Sequence, residues 1–455
     1  MAILIFAALY YLLFLMDFGH GFQQPPKQLD LVFNSMLDHL VRGRFGVDPA
    51  IVGLEGFTRN GQVIAYWGVF PALLRIPLMV FDRWLEIDVT LWSCLAAILV
   101  ALFVKLWTVR IICADNADIP RWLVAAVVVM FVFSGAQMGY LRASVFQEVC
   151  LWGGVFGSVF VAAAMRGIIA RQFGGGVLAV MALAAGLSLL TRVSIAVGLY
   201  AGIGLLLAVV AIRSLRNGRP AWRTLVLPIA ILVMFILICG FINLQRWDNP
   251  LTFADYNFYK FNVQFPDRLP RTRIYGLFNL ERIPFGLMYF FVPAWFLQNG
   301  AGQLVFAATH IRLMDVVELP PSSFLLTDAL LLLLAAVGAR ALVDRSTIRT
   351  FDRIERAMIA LGLLAPPLLM LTAISMTYRY RIDFYPFFEF LAFVGVLALA
   401  GKRIDSPAWR RSVWALVVVG VIGSHVSMAL YRMADFGPAQ NYLQRGIVRY
   451  YGDQV

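Results

Sequence analysis

The chain of 455 residues is 61% hydrophobic and only 14% charged, with a mean hydropathy of +0.79. A soluble globular protein carries roughly 25% charged residues, so the composition excludes a string of water-soluble domains and points to an all-α polytopic membrane protein. The net charge of +12 is not a nucleic-acid signature, because the basic residues fall in short clusters between apolar runs, and no nucleic-acid partner is expected.

A helix needs about 20 apolar residues to cross the hydrocarbon core. In chain order the runs that meet or approach this are 2–18, 89–109, 122–138, 149–165, 176–191, 194–212, 224–243, 324–341, 357–375, 385–400 and 412–431, which predicts about eleven transmembrane helices. The first lacks a charged n-region and a small-residue cleavage pattern, so it reads as a transmembrane signal anchor. Segment 213–223 (RSLRNGRPAWR) holds four Arg and no acid, which places it in the cytoplasm. Alternating from it puts the basic connectors 110–121, 166–175, 340–356 and 401–411 on the same side, with the N-terminus cytoplasmic. Two large loops, 19–88 and 244–323, and the tail 432–455 then lie outside, all within one transmembrane domain, 1–455. By the same parity, the apolar stretches 63–81 and 286–298 do not cross. The first, with Pro71 and Pro77, reads as a juxtamembrane or re-entrant segment, and the second as an interfacial helix.

The four cysteines, Cys94, Cys113, Cys150 and Cys239, lie in or beside apolar runs without C-x-x-C spacing, against a disulfide framework or zinc site. No internal repeat supports the inverted-repeat plan of many transporters. Within the spans, Lys105 is expected to snorkel inward and Glu389 to sit near the outer surface. This scarcity of midplane charge counts against ion-coupled pumps. No G-x-S-x-G, H-E-x-x-H or Walker glycine loop occurs, and His20, His39, His310 and His425 have no ligand-like spacing.

The polar groups gather instead at the outer helix ends and in the two outer loops. In the first loop, Phe33, Met36, Leu37, Leu40 and Val41 repeat with helical spacing, predicting an amphipathic helix lying on the bilayer. Asp30, Asn34, Asp38 and Arg42 form its polar edge. Asp30 stands where an N-cap belongs and Gly43 where a C-cap glycine belongs, so Asp30 is either a cap or a reactive carboxylate. Asp48 and Glu55 follow, then Tyr66 in NGQVIAYWGVFPALLRIPL. Glu148 opens an apolar helix in GYLRASVFQEVCLWGG, as a helix-dipole partner or a site residue. Arg192 in LLTRVSI is a positive charge kept outside, which wants an anionic partner. TYRYRIDFYPFFEF carries Arg379, Arg381 and Asp383, where Arg379 and Asp383 either pair or face substrate. The aromatic-rich loop 244–285 fits a membrane interface, and its rings would also stack on sugars and cover a polyprenyl chain.

This arrangement resembles the GT-C superfamily of integral-membrane glycosyltransferases, which includes protein O-mannosyltransferases, lipid A aminoarabinose transferases and oligosaccharyltransferase catalytic subunits. The likeness rests on Asp30 ahead of FNSMLDHLVRGRF and Glu148 in SVFQEVCLWGG. LTRVS, RWDNPLTFADY and TYRYRIDFYP look like features of bacterial members. The first loop lacks a D-E pair, so Asp48 or Glu55 competes with Asp30 for the base. The resemblance implies a polyprenyl-phosphate-linked sugar donor at the outer face of a bacterial inner membrane. Its acceptor would be a cell-envelope glycan or lipid, since no soluble C-terminal domain of the oligosaccharyltransferase kind is present in this sequence. Asp30 is the candidate base, and Arg192 with Arg379 or Arg381 the candidates for the leaving phosphate. Glu148 and Asp383 would orient the acceptor or hold a divalent cation, and Tyr66 is a further substrate-binding candidate. The rival readings are an O-antigen-type polymerase or ligase, and a lipid or polysaccharide transporter without enzymatic activity.

Overall fold

The computed structural model describes residues 2–18, 28–116, 118–218, 222–292, 313–314, 316–317, 323–344, 350–400 and 406–433. Twelve helices organise it. They are α1 (Ala2–Leu15), α2 (Val32–Val41), α3 (Thr90–Ala114), α4 (Arg121–Phe133), α5 (Val145–Ile169), α6 (Gly175–Leu189), α7 (Val193–Arg216), α8 (Trp222–Trp247), α9 (Ala329–Val343), α10 (Thr350–Leu363), α11 (Tyr385–Leu399) and α12 (Pro407–Met433).

Apart from α2, each overlaps one of the apolar runs, and the run 357–375 is shared between α10 and a short helix, Ala365–Leu371. Seven segments among the described residues are long and apolar enough to cross a bilayer: α3, α5, α7, α8, Arg353–Leu371, Tyr378–Leu399 and Pro407–Tyr431. The other four, α1, α4, α6 and α9, are apolar helices of 10–17 residues, so length alone does not establish eleven crossings. The chain is a multi-pass, predominantly helical membrane protein. In their most apolar windows α5 and Tyr378–Leu399, which contains α11, are each 83% buried within the protein and α8 only 22%, which makes α5 and α11 the central helices and α8 part of the lipid-facing rim.

Helix contacts are close where glycines meet. A Cβ on Gly338 of α9 would lie 1.9 Å from the Leu391 carbonyl oxygen of α11, and one on Gly395 would lie 2.1 Å from that of Leu334. With no hydrophobic effect to drive helices together in lipid, such backbone proximity supplies the dispersion contacts that do.

The first large loop folds onto the bundle. Helix α2 forms as expected, and Gly43 beyond its end takes a φ of +69°. Its apolar face meets protein, however. Phe33, Met36 and Leu37 are buried with Val47, Trp67, Val69 and Val145, while Val41 is 62% exposed. Asn34 is buried rather than on a solvated edge, because its amide donates to the Trp84 and Ile87 carbonyls, both at 2.9 Å. A hairpin follows, β1 (Phe57–Arg59) and β2 (Gln62–Ile64). Asn60 and Gly61 turn it with φ of 48° and 75°, the paired positive values a two-residue hairpin requires. The chain then docks on the α6–α7 turn. Phe70 N–H donates to the Leu190 carbonyl at 2.9 Å, and a Cβ on Gly68 would fall 2.2 Å from that oxygen. Stretch 63–81 breaks into a helix Phe70–Leu73 and a 3-10 turn Ile76–Val80, too short for the roughly 30 Å core.

In the second large loop, Ile283–Phe291 is a nine-residue helix. Residues 293–298 of the expected interfacial segment, and the tail beyond Met433, lie outside the described residues.

Candidate active site

The first two turns of α5 gather the predicted residues at one end of the bundle. Ser144 caps the helix, its hydroxyl accepting from Gln147 N–H at 3.4 Å. Asp30 does not cap α2, whose N-cap is Leu31 with no side-chain bond. Its carboxylate instead accepts from Val145 N–H of α5 at 3.3 Å. Its carbonyl accepts from the Thr90 hydroxyl at 3.1 Å, and the residue is 8% exposed. An anion at a helix N-terminus is favoured by the unpaired N–H groups and the dipole.

One turn on, Glu148 is fully buried and held by Arg75 from the short 63–81 stretch, both guanidinium nitrogens donating to the two carboxylate oxygens, one at 2.8 Å. Arg75 also donates to the Pro71 carbonyl at 3.2 Å and lies 5.3 Å from the Phe33 ring centroid. Glu148 is therefore an ion-pair partner, not a dipole partner open to solvent.

Arg192 finds the anionic partner expected for it in Asp383. Its Nε lies 3.2 Å from both carboxylate oxygens and its Nη2 2.5 Å from Oδ2. Ser194 donates to the same carboxylate, and Nη1 of Arg192 reaches Cys150 Sγ of α5 at 3.2 Å. Asp383 thus pairs with Arg192 and not with Arg379. Arg381 is buried against Asp328, at 2.7 Å, and also donates to the Thr327 hydroxyl. The Tyr385 hydroxyl completes the Asp328 shell at 3.2 Å. Arg379 lies with its guanidinium carbon 4.2 Å from the Phe146 ring centroid on α5, a cation–π geometry.

Tyr66 and Glu55 border this cluster. Trp67 lies tilted beside Tyr66 with ring centroids 4.8 Å apart and meets Phe146 edge-on at 5.4 Å. Glu55 accepts from the Tyr259 hydroxyl at 2.8 Å. Burial first, and then the nearby Glu55 carboxylate, push the phenols of both Tyr66 and Tyr259 well above their usual value. Asp48 is a turn former: it caps the short helix Pro49–Val52 through Ala50 N–H at 2.8 Å.

Lys105 does not snorkel. It pairs with Glu389 inside the bundle at 2.6 Å, both nearly inaccessible. With Gln137, Ser158 and Tyr385 they form the polar part of the lining of a small, mostly apolar cavity. Among the described residues no group of three or more His, Cys, Asp or Glu could hold a metal ion, and the carboxylates of Glu148 and Asp383 are each occupied by a guanidinium, a poor fit to a divalent cation.

Sequence reasoning overlooked Arg75 and Asp328. Each was a single charge in an apolar setting, and a charge buried in a membrane protein needs an opposite partner. That rule, applied to Arg75 between Pro71 and Pro77, would have called for a carboxylate partner without saying which.

No family model matches the sequence, and no curated protein matches it. Among solved structures, the apo oligosaccharyltransferase of Archaeoglobus fulgidus has a similar fold, with a TM-score of 0.51 and 10% identity over 96% of this chain and 56% of that one. A second structure, the AglB oligosaccharyltransferase of the same archaeon in complex with an inhibitory peptide and a dolichol-phosphate, gives 0.48 and 11% over 97% of this chain and 56% of that one. The chain thus spans little more than half the length of the proteins it resembles. The likeness is one of fold, and the fold is GT-C-like, as expected from the sequence.

Proposed function

We propose that the chain is a glycosyltransferase that moves a sugar from a polyprenyl-phosphate donor to a cell-envelope glycan or lipid. It would act at the outer face of a bacterial inner membrane, with its N-terminus in the cytoplasm. The observation that supports this most directly is the convergence on the first two turns of α5. Asp30, Glu148 with Arg75, Arg379 over Phe146, and Arg192 through Cys150 all meet there, in a fold shared with an oligosaccharyltransferase.

In this reading Asp30 takes the proton of the acceptor hydroxyl as it attacks the anomeric carbon. The bond from Val145 N–H fixes the carboxylate's orientation. The C–O bond to the lipid phosphate breaks on the opposite face, inverting the anomeric centre, and the electron pair departs with the phosphate. Guanidinium charge stabilises that developing anion. Arg379 is the leading group for this, because its guanidinium lies over Phe146 in the first turn of α5, next to the Val145 N–H that holds Asp30; Arg192 and Arg381 position the cluster through Asp383 and Asp328. Glu148 keeps Arg75 and the 63–81 stretch against α5. Glu55, with Tyr66 and Tyr259 beside it, is the second candidate for the base.

The test is transfer of label from radiolabelled polyprenyl-phosphate sugars to an envelope lipid extract by purified protein. Asp30→Asn keeps an oxygen that can accept from Val145 N–H, so folding should survive while the rate falls about 100-fold or more, the usual scale of a lost general base. Wild-type rates in Asp30→Asn would move the role to Glu55. Wild-type protein that transfers no sugar from any such donor would overturn the reading.

A further inference from the structure

Arg246, in the last turn of α8, is 5% exposed. Its Nη1 donates to the Trp67 carbonyl at 3.0 Å and its Nη2 reaches the Met36 sulfur at 3.5 Å. Its Nε has no hydrogen-bond partner among the described residues. Among the other buried cations, Arg75, Lys105, Arg192 and Arg381 each hold a carboxylate, and Arg282 donates to four backbone carbonyls. No carboxylate among the described residues lies within ion-pair distance of Arg246. The acid nearest in sequence, Asp248, faces solvent and is held by Arg59 at 2.6 Å. With one carbonyl and one sulfur for partners and its Nε unbonded, this buried guanidinium has neither a carboxylate nor the full carbonyl set of Arg282, a costly state that an anion from outside the chain would relieve.

A route exists for one. Arg246 lines a pocket with Tyr66, Trp67, Asn243, Leu189, Val193 and Ile242. Three of these walls are aliphatic, which suits a ligand that is only locally charged. Beyond the pocket the outward face of α8 is apolar and uncovered, with Phe241 55% and Leu237 66% exposed, as a lipid-facing helix should be. We propose that this pocket takes the phosphate group of a membrane lipid, with Arg246 donating to the phosphate oxygens and the hydrocarbon chain lying along α8. The assignment concerns binding alone and goes beyond the transferase reading; Tyr66 is the residue that borders both places.

The experiment measures lipid binding to the purified full-length chain by native mass spectrometry, with no transfer reaction. The probes are a polyprenyl phosphate, phosphatidylglycerol and inorganic phosphate. Arg246→Gln should weaken binding of the preferred lipid at least about tenfold, the scale of one charge-assisted contact. Ile242→Trp, which fills the pocket without touching a charge, should do the same and decides the matter if Arg246→Gln does not fold. A preference for polyprenyl phosphate over phosphatidylglycerol would assign the site to a lipid carrier, and equal affinity to bulk phospholipid; both support a lipid-phosphate site. Wild-type affinity for both lipids in either folded variant would overturn it, and so would inorganic phosphate binding as tightly as the lipids. Failure of the transfer assay with lipid binding intact would remove the enzyme reading and leave this one standing.

Discussion

Replacing Arg75 by Met and Glu148 by Leu, singly and together, separates a held ion pair from an exposed reactive carboxylate. Both side chains are fully inaccessible and joined by two parallel bonds. Arg75→Met keeps most of the stem that packs beside Phe33 but leaves a buried carboxylate without its cation. Glu148→Leu leaves the guanidinium with only the Pro71 carbonyl at 3.2 Å and the Thr90 hydroxyl at 3.5 Å. Breaking a buried pair from one side costs about 3–5 kcal/mol, whereas replacing both partners by apolar groups of similar size is often close to neutral. Each single variant should therefore lose about 3–5 kcal/mol of unfolding free energy in mixed micelles titrated with a denaturing detergent. The double variant should recover most of it, giving a coupling of at least about 3 kcal/mol. Single effects that simply add, or a Glu148→Leu cost below about 1 kcal/mol, would refute the assignment of Glu148 as an ion-pair anchor and return it to the list of free catalytic acids.

Asp30→Asn should leave the unfolding transition nearly unchanged while sugar transfer collapses, as set out above, with folding and turnover measured on the same preparation. Arg192→Lys keeps the charge but loses the fork that spans both Asp383 oxygens. It should cost about 1.5–3 kcal/mol of stability, read by detergent unfolding, together with a clear loss of donor use. Wild-type behaviour in both assays would show that the fork is dispensable. Gly338→Ala places a methyl group 1.9 Å from the Leu391 carbonyl oxygen, and the helices must part to admit it. A loss of about 1–3 kcal/mol in the same unfolding assay is expected, and no loss would mean that α9 and α11 are not in direct backbone contact.

The apolar runs were sufficient to locate every helix that covers them, because burying backbone polar groups in lipid leaves a helix as the economical form of a long apolar segment. The limits of the helices were less legible. Only seven segments among the described residues reach spanning length, since helices such as α4 stop where a turn toward the site begins. Helix α2 illustrates a second limit. Its periodicity was read correctly, but periodicity does not tell lipid from protein, and its apolar stripe packs on Trp67 and Val145. The site residues follow the same division. Asp30, Glu148, Arg192 and Asp383 stood out as charges beside apolar segments. The pairing of Glu148 with Arg75 across 73 positions, and of Arg192 with Asp383 across 191, is a property of helix order in space that no local pattern carries.

That long separation between Arg192 and Asp383 also imposes a schedule on synthesis. Chains leave the ribosome at about 5–20 residues per second. Arg192 is therefore delivered to the membrane boundary on the order of 10–40 s before its carboxylate exists, and Arg75 precedes Glu148 by about 4–15 s at the same speed. During those intervals the turn between α6 and α7, and the short stretch that carries Arg75, must remain in the hydrated headgroup layer. The central helix α5 can acquire its neighbours early, but the arginine beside it settles only when the tenth apolar run arrives, so the end of the bundle that carries the candidate chemistry is the last part to close.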